Sequence, residues 1–242
     1  MPLDLQSERY NATGNIAAEG VQNLLGTPQL DRLHTLVRET VQNSGDAKLP
    51  GEVAEYRISL RRLDEDQRAA LRDEVLCQRP PEEAMSTRNL EVFLEKEKAW
   101  VLDISDFGTC GLAGASRADH VPEDEEPTDF VDFVRNIGSR RDRHLGGGTY
   151  GYGKASIYTA SSCSTVLIDT QTKHAGEPVR RLIGAHIGQA FDVRSGDLRG
   201  RYTGRHWWGR QATDLVEQAV ETESGSRYAL GVRAPKPAEA PA

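Results

Sequence analysis

From Leu33 to Ala47 the chain sorts its residue types at helical spacing. Leu33, Leu36, Val37 and Val41 recur at intervals of three and four, which predicts an amphipathic helix with an apolar stripe for a core. Thr27 followed by Pro28 is a start signal, so the helix is expected over 28–47. Glu39 and Asn43 lie four residues apart and share one face of it. The carboxylate can serve as a general base on water. The amide oxygen is a hard ligand suited to Mg²⁺. Taken alone, the pair also reads as an ordinary solvated helix face.

Bulk properties narrow the setting. The 242 residues fit one large domain or one and a half small ones, and suffice for a substantial core. A net charge of -7 argues against nucleic-acid binding over the whole surface, although a local basic patch is compatible with it. Cys77, Cys110 and Cys163 show no C-x-x-C spacing and fit a reducing compartment better than a disulfide framework. Met1 to Gln6 carries no basic-then-apolar leader, and no apolar run approaches the ~18 residues that span a bilayer. The expectation is a soluble, cytoplasmic protein with no membrane partner.

Three segments are expected: residues 1–26 as a loosely ordered N-terminal stretch, a domain over 27–232, and a Pro/Ala-rich disordered tail over 233–242. Tyr56, Ile58 and Leu60 alternate with polar residues, as in a half-buried strand. Leu63 to Leu76 predicts a charged amphipathic helix. Ala99 to Ile104 predicts a strand running into Asp106-Phe107-Gly108. Residues 113–127 form a polar insert whose run Glu123 to Glu126 reads as a solvated loop. Helical spacing of Phe130, Phe133, Val134 and Ile137 precedes a basic loop with Arg140, Arg141 and Arg143. A short helix near 153–161 and strands at 165–169 and 181–187 complete the pattern.

The glycine-rich stretch Gly146 to Ser156 admits three templates. Gly148 to Lys154 matches the P-loop pattern, but Ala155 stands where a hydroxyl residue should bind Mg²⁺, and no buried strand precedes it. Gly146, Gly148 and Gly151 match the dinucleotide pattern, with Asp169 as the ribose acid; the preceding strand is again absent. The third template is a lid whose backbone amides close over phosphates, with Lys154 adding a point charge. Upstream, Asp106 at a strand end can accept a hydrogen bond from an adenine amine, and Gly108 and Gly111 let the backbone turn beneath the base. An ordinary Asp-x-Gly turn is the plain alternative.

In this order the motifs resemble one family. Arg38-Glu39-Thr40-Val41-Gln42-Asn43-Ser44-Gly45-Asp46-Ala47 is similar to an N-box. Asp106-Phe107-Gly108-Thr109-Cys110-Gly111 is similar to a first glycine box, and Gly148-Thr149-Tyr150-Gly151-Tyr152-Gly153 to a second. The family is the GHKL superfamily of ATPases, which holds gyrase B, the heat-shock chaperone of the same fold, MutL and the histidine kinases. The resemblance spans about residues 28–170. It implies an α+β two-layer sandwich of the Bergerat type, a mixed, largely antiparallel sheet with helices on one face. It implies ATP and Mg²⁺ as ligands, with Glu39 activating water, Asn43 holding the metal, Asp46 behind the base pocket and Asp106 reading adenine. Gly108 and Gly111 would shape the base pocket; Gly148, Gly151, Gly153 and Lys154 would wrap the phosphates.

Histidine kinases carry an apolar residue in place of this Glu, so Glu39 favours hydrolysis over phosphoryl transfer to a His. The resemblance also implies a nucleotide-driven switch that works with a partner protein or as an ATP-dependent homodimer. Two features depart from the pattern. The first glycine box holds one residue more than G-x-G. The closing Gly-Thr strand is represented only by Thr203-Gly204, in reversed order, or Gly225-Ser226. A non-catalytic nucleotide-binding or interaction module therefore stands as the alternative. So does an accessory ATPase of DNA processing or defence, since Arg201 to Gly209 looks similar to segments of poorly characterised bacterial members. The plainer reading of that segment is a strand with two packed tryptophans.

Overall fold

The computed structural model describes residues 2–20, 31–136, 153–174, 176–194, 196–197, 199–211, 216–217 and 219–221. The largest sheet is built on β7 (Gly200–Gln211) and β5 (Glu177–Ile187). β1 (Asp4–Arg9) flanks β7 and β4 (Thr165–His174) flanks β5, giving the order β1-β7-β5-β4. Three short strands, β6 (Phe191–Val193), β8 (Val216–Glu217) and β9 (Ala219–Glu221), attach to β7, β7 and β5. A separate ribbon pairs β2 (Glu55–Arg62) with β3 (Trp100–Phe107) in unbroken register. Every described pairing is antiparallel, where a mixed sheet was expected. The class is α+β, with helices and antiparallel sheets.

The helices do not keep to one face. Successive side chains on a strand point to opposite sides, and Trp207 and Trp208 on β7 belong to two different cores. Trp208, Leu182 and Leu3 pack with Leu71 and Val75, in the turn Leu71–Val75 that continues α2 (Glu65–Ala70), and with Leu90 and Leu94 of α3 (Met85–Glu95). Trp207, Ile183 and Ala185 pack with α4 (Asp129–Val134) and α5 (Gly153–Ala160). The sheet is thus covered on both sides. Each indole buries on the order of 200 Å², worth about 5 kcal/mol at ~25 cal/mol per Å². Their N–H groups are satisfied by Val134 O at 3.3 Å and Gln78 O at 2.8 Å. The plain reading of 201–209 as a packed strand holds.

Three further expectations change. The start of the N-terminal stretch is not loose: Leu3 is fully buried and β1 runs along β7 from Asp4 opposite Gly209, while residues 21–26 lie outside the described residues. The helix expected over 63–76 starts at the Asp64 cap and widens after Ala70, where Leu76 N donates to Leu71 O at 2.9 Å. Such widening occurs mostly as single turns. α3 had no counterpart in the sequence reading. No described helix is long and apolar enough to cross a membrane.

Candidate functional site

The helix that carries Glu39 is α1 (Arg32–Asp46). Its start is set by Asp31, whose carboxylate accepts from Leu33 N and His34 N at 2.8 and 3.0 Å. The expected Thr27-Pro28 start lies outside the described residues. The helix is rotated relative to its hydropathy. Leu33 is 60% exposed and Val41 44%, while Leu36, Glu39 and Ser44 are buried. The face turned inward is therefore mainly polar, and Glu39 retains only 8% of its accessible surface.

That polar face meets the end of the β2–β3 ribbon. Thr40 Oγ1 and Tyr56 OH share a hydrogen bond of 2.8 Å. Ser44 Oγ donates to Asp106 Oδ2 at 2.8 Å, and Thr109 Oγ1 donates to Asp106 Oδ1 at 3.0 Å. Two hydroxyls, one from each motif, thus fix the exposed Asp106 carboxylate. Each oxygen keeps a further lone pair for an incoming donor.

The backbone joins the same two segments. Leu49 N donates to Gly108 O at 3.0 Å, and Cys110 N donates to Ala47 O at 2.9 Å. The segment that follows Asp106 docks on β4. Leu112 N donates to Thr170 Oγ1 at 2.9 Å, and Thr172 Oγ1 donates to Cys110 O at 2.8 Å. Gly108 and Gly111 have φ of +69° and +64°. A Cβ on Gly108 would sit 2.4 Å from Val53 O, and one on Gly111 2.3 Å from Gln171 O. Both the backbone conformation and the space require glycine.

The side chains proposed for chemistry are held differently. Glu39 Oε1 accepts from Arg38 Nη2 at 2.5 Å, and Oε2 accepts no hydrogen bond among the described residues. Asn43 is half-buried, and its amide group likewise bonds to none of them. Asp46 ends α1 and is exposed. Gly148 and Gly151 lie outside the described residues, as do Arg140, Arg141 and Arg143. Gly153 opens α5, which packs against α1. Lys154 is buried and its Nζ donates to Asp132 O at 2.5 Å, so it does not stand free as the expected phosphate cation.

Glu39, Asn43, Asp106, Gly108 and Gly111 are thereby gathered around one helix, with the start of α5 against the same helix. Sequence reasoning missed the supporting hydroxyls of Ser44, Thr109 and Thr170. Their signal is weak: Ser44 follows Asn43 directly, Thr109 lies within the glycine box, and Thr170 and Thr172 alternate on a strand. Among the described residues no cluster of three or more His, Cys, Asp or Glu side chains could hold a metal. Mg²⁺ is commonly held by one or two protein oxygens together with substrate phosphates, and Asn43 has the donor for that arrangement. Comparison with protein-family models, with characterised proteins and with solved structures gives no match.

Proposed function

We propose that the chain is an ATP-binding module that hydrolyses ATP with Mg²⁺ and uses the cycle as a conformational switch. One observation carries this reading. α1 exposes leucine and valine to turn inward a polar face that holds Glu39 and Asn43, and among the described residues neither Glu39 Oε2 nor the Asn43 amide has a protein partner. Neither group is sealed from solvent, so a carboxylate oxygen and an amide stay open to a ligand on the face that meets Asp106.

Asp106 would accept the adenine amine, oriented by Ser44 and Thr109. Gly108 and Gly111 would let the backbone pass beneath the base. Asn43 Oδ1 would hold Mg²⁺, which when bound supplies charge neutralisation for the phosphates. Glu39 Oε2 would accept the proton of the attacking water, while Arg38 fixes the other carboxylate oxygen. The resemblance to the GHKL superfamily described above supports the same roles.

The buried Lys154, tied to Asp132 O, favours a second reading: a pocket that binds nucleotide without turning it over. Steady-state ATP turnover with Mg²⁺, together with calorimetric ATP titration, separates the two. Binding with turnover supports hydrolysis, binding alone supports the second reading, and no binding of ATP removes both.

A further inference from the structure

Ser7 on β1 stands opposite His206 on β7, and its Oγ lies 2.9 Å from His206 Nδ1. On the far side of the same ring, His206 Nε2 lies 3.1 Å from Glu82 Oε1. Burial raises the Glu82 pKa, but the hydrogen bond and charge of His206 hold it below the usual carboxylate value. An ionised carboxylate only accepts, so Nε2 carries the imidazole proton and donates to Glu82. In the neutral ring Nδ1 is then the acceptor, and Ser7 Oγ donates to it. Thr87 Oγ1, from α3, donates to the same Glu82 oxygen at 3.0 Å and fixes the carboxylate. A hydroxyl, a base within hydrogen-bond reach and a third group that orients the base thus stand in one row. The row ends at the edge of the sheet. β1 pairs with β7 alone among the described residues. Leu3 and Leu5 turn their N–H groups away from β7, to Glu74 O at 2.8 Å and Gln78 Oε1 at 3.1 Å. Ladder direction alternates along an antiparallel strand, so the Ser7 N–H also points to the outer edge. Just beyond Ser7 the ladder bulges: four steps of β7, from His206 to Tyr202, match two of β1, from Ser7 to Arg9. Bulges bend a strand and re-aim its side chains. His206 is fully buried and Ser7 partly exposed, so the base is shielded and the serine lies at the rim.

We propose that Ser7 is the nucleophile of an acyl-transfer site, with His206 as its general base and Glu82 as the group that orients the base. The acyl donor is an ester that approaches along the outer edge of β1. Ser7 Oγ attacks the carbonyl carbon while its proton passes to His206 Nδ1. The Ser7 N–H, on the same outer edge, donates to the oxyanion that forms. The ester C–O bond then breaks, and the leaving alkoxide takes the proton from Nδ1 as an alcohol. Water, deprotonated by the same nitrogen, attacks the acyl-serine, releases the acid and restores the Ser7 hydroxyl. Ester and water become acid and alcohol, and nothing else is consumed. The site uses neither Glu39 nor Asn43 and does not rest on the nucleotide reading.

Hydrolysis of p-nitrophenyl acetate by the full chain, with labelling by a fluorophosphonate and peptide mapping, tests the proposal. Turnover is expected, and the phosphonyl group should map to Ser7. Ser7→Ala should lose the label and slow turnover about 10²–10⁴-fold. Ser7 is partly exposed, so the thermal melt of this variant should match the parent. Glu82→Gln keeps the side-chain shape but sets an amide donor against Nε2, and should slow labelling by a similar factor. Ser7→Cys reads the pairing without emptying the core. A thiol beside an oriented imidazole ionises more readily than a free one. At pH ~6.5 it should react with iodoacetamide about tenfold faster than the same thiol in the Ser7→Cys, Glu82→Gln double variant. No label at Ser7, turnover that survives Ser7→Ala, labelling indifferent to Glu82→Gln, or equal alkylation of the two cysteine variants each overturns the proposal.

Discussion

Ser44 Oγ donates to Asp106 Oδ2 at 2.8 Å, joining a helix and a strand end that lie 62 residues apart. The bond ties the segment Arg38 to Ala47 to the segment Asp106 to Gly111. It also gives the exposed Asp106 carboxylate a fixed orientation, which a lone surface carboxylate would lack.

Ser44→Ala should therefore weaken nucleotide binding without touching the ligand. Loss of one hydroxyl donor to a carboxylate costs about 1 kcal/mol, or roughly fivefold in affinity. Asp106→Asn should lose more, and should lose the preference for ATP over GTP with or without Mg²⁺. Calorimetric titration with both nucleotides checks this. Equal ATP and GTP affinity in the parent would remove the adenine-reading role.

Glu39→Ala should abolish turnover and keep ATP binding. A positioned base contributes about 10²–10⁴ in rate. The carboxylate is nearly buried, so truncation to alanine also removes a desolvated charge, and a thermal melt must show the fold intact. Turnover equal to that of the parent would show that Glu39 is not the base.

Asn43→Ala should reduce ATP affinity only when Mg²⁺ is present. Its amide group has no protein partner among the described residues, so the substitution breaks no internal bond there. An equal loss in EDTA would assign Asn43 to direct nucleotide contact instead.

The order of motifs was legible in the sequence because each is local. The helix with Glu39 and Asn43, the strand ending in Asp106 and the helix opening at Gly153 all formed near their expected places. What the pattern hid was orientation. Leu33 and Val41 read as core, yet they face outward while Glu39, Thr40 and Ser44 face inward. A hydropathy stripe cannot signal a polar interface. Pairing across the whole chain was also hidden: β1 finds β7 about two hundred residues later, and only the burial of both partners reveals it. Ile58 and Leu60 alternate as in a half-buried strand, but the face they define is left open. Gly148 and Gly151 lie outside the described residues.

Gly111→Ala should destabilise the fold and, with it, the proposed base pocket. Its φ of +64° is unfavourable for alanine, and the added Cβ would meet Gln171 O at 2.3 Å. Strain of this kind costs about 1–3 kcal/mol, measured as a shift in the urea midpoint. Gly45, whose Cβ would meet nothing within 4 Å, is the control. Gly45→Ala in helix α1 should stabilise by about 1 kcal/mol. A Gly111→Ala protein as stable as the parent would mean the glycine box is not clamped against β4.

Stability should fall on mild acidification, and His186 should carry much of the fall. It is fully buried on β5, with Nδ1 sharing a 2.8 Å hydrogen bond with Thr165 Oγ1 and Nε2 facing Thr87 and Glu82. Burial, with the neighbouring His206 adding to it, pushes its pKa down to about 4. The unfolded chain titrates near 6.5, so between these values the unfolded state binds the proton and the folded state does not. The contribution is complete above pH ~6.5 and is lost as pH falls toward ~4. At about 1.4 kcal/mol per unit, moving from pH 7.5 to pH 5 should cost on the order of 2 kcal/mol. Glu82 acts later. Burial raises its pKa, but the hydrogen bond and charge of His206 outweigh that and hold it below the usual carboxylate value. Its share is therefore lost only in stronger acid. Urea denaturation at pH 7.5 and pH 5 should show the fall in the parent and a flatter profile in His186→Gln, whatever that variant's absolute stability. The same slope in both proteins would place the acid sensitivity elsewhere.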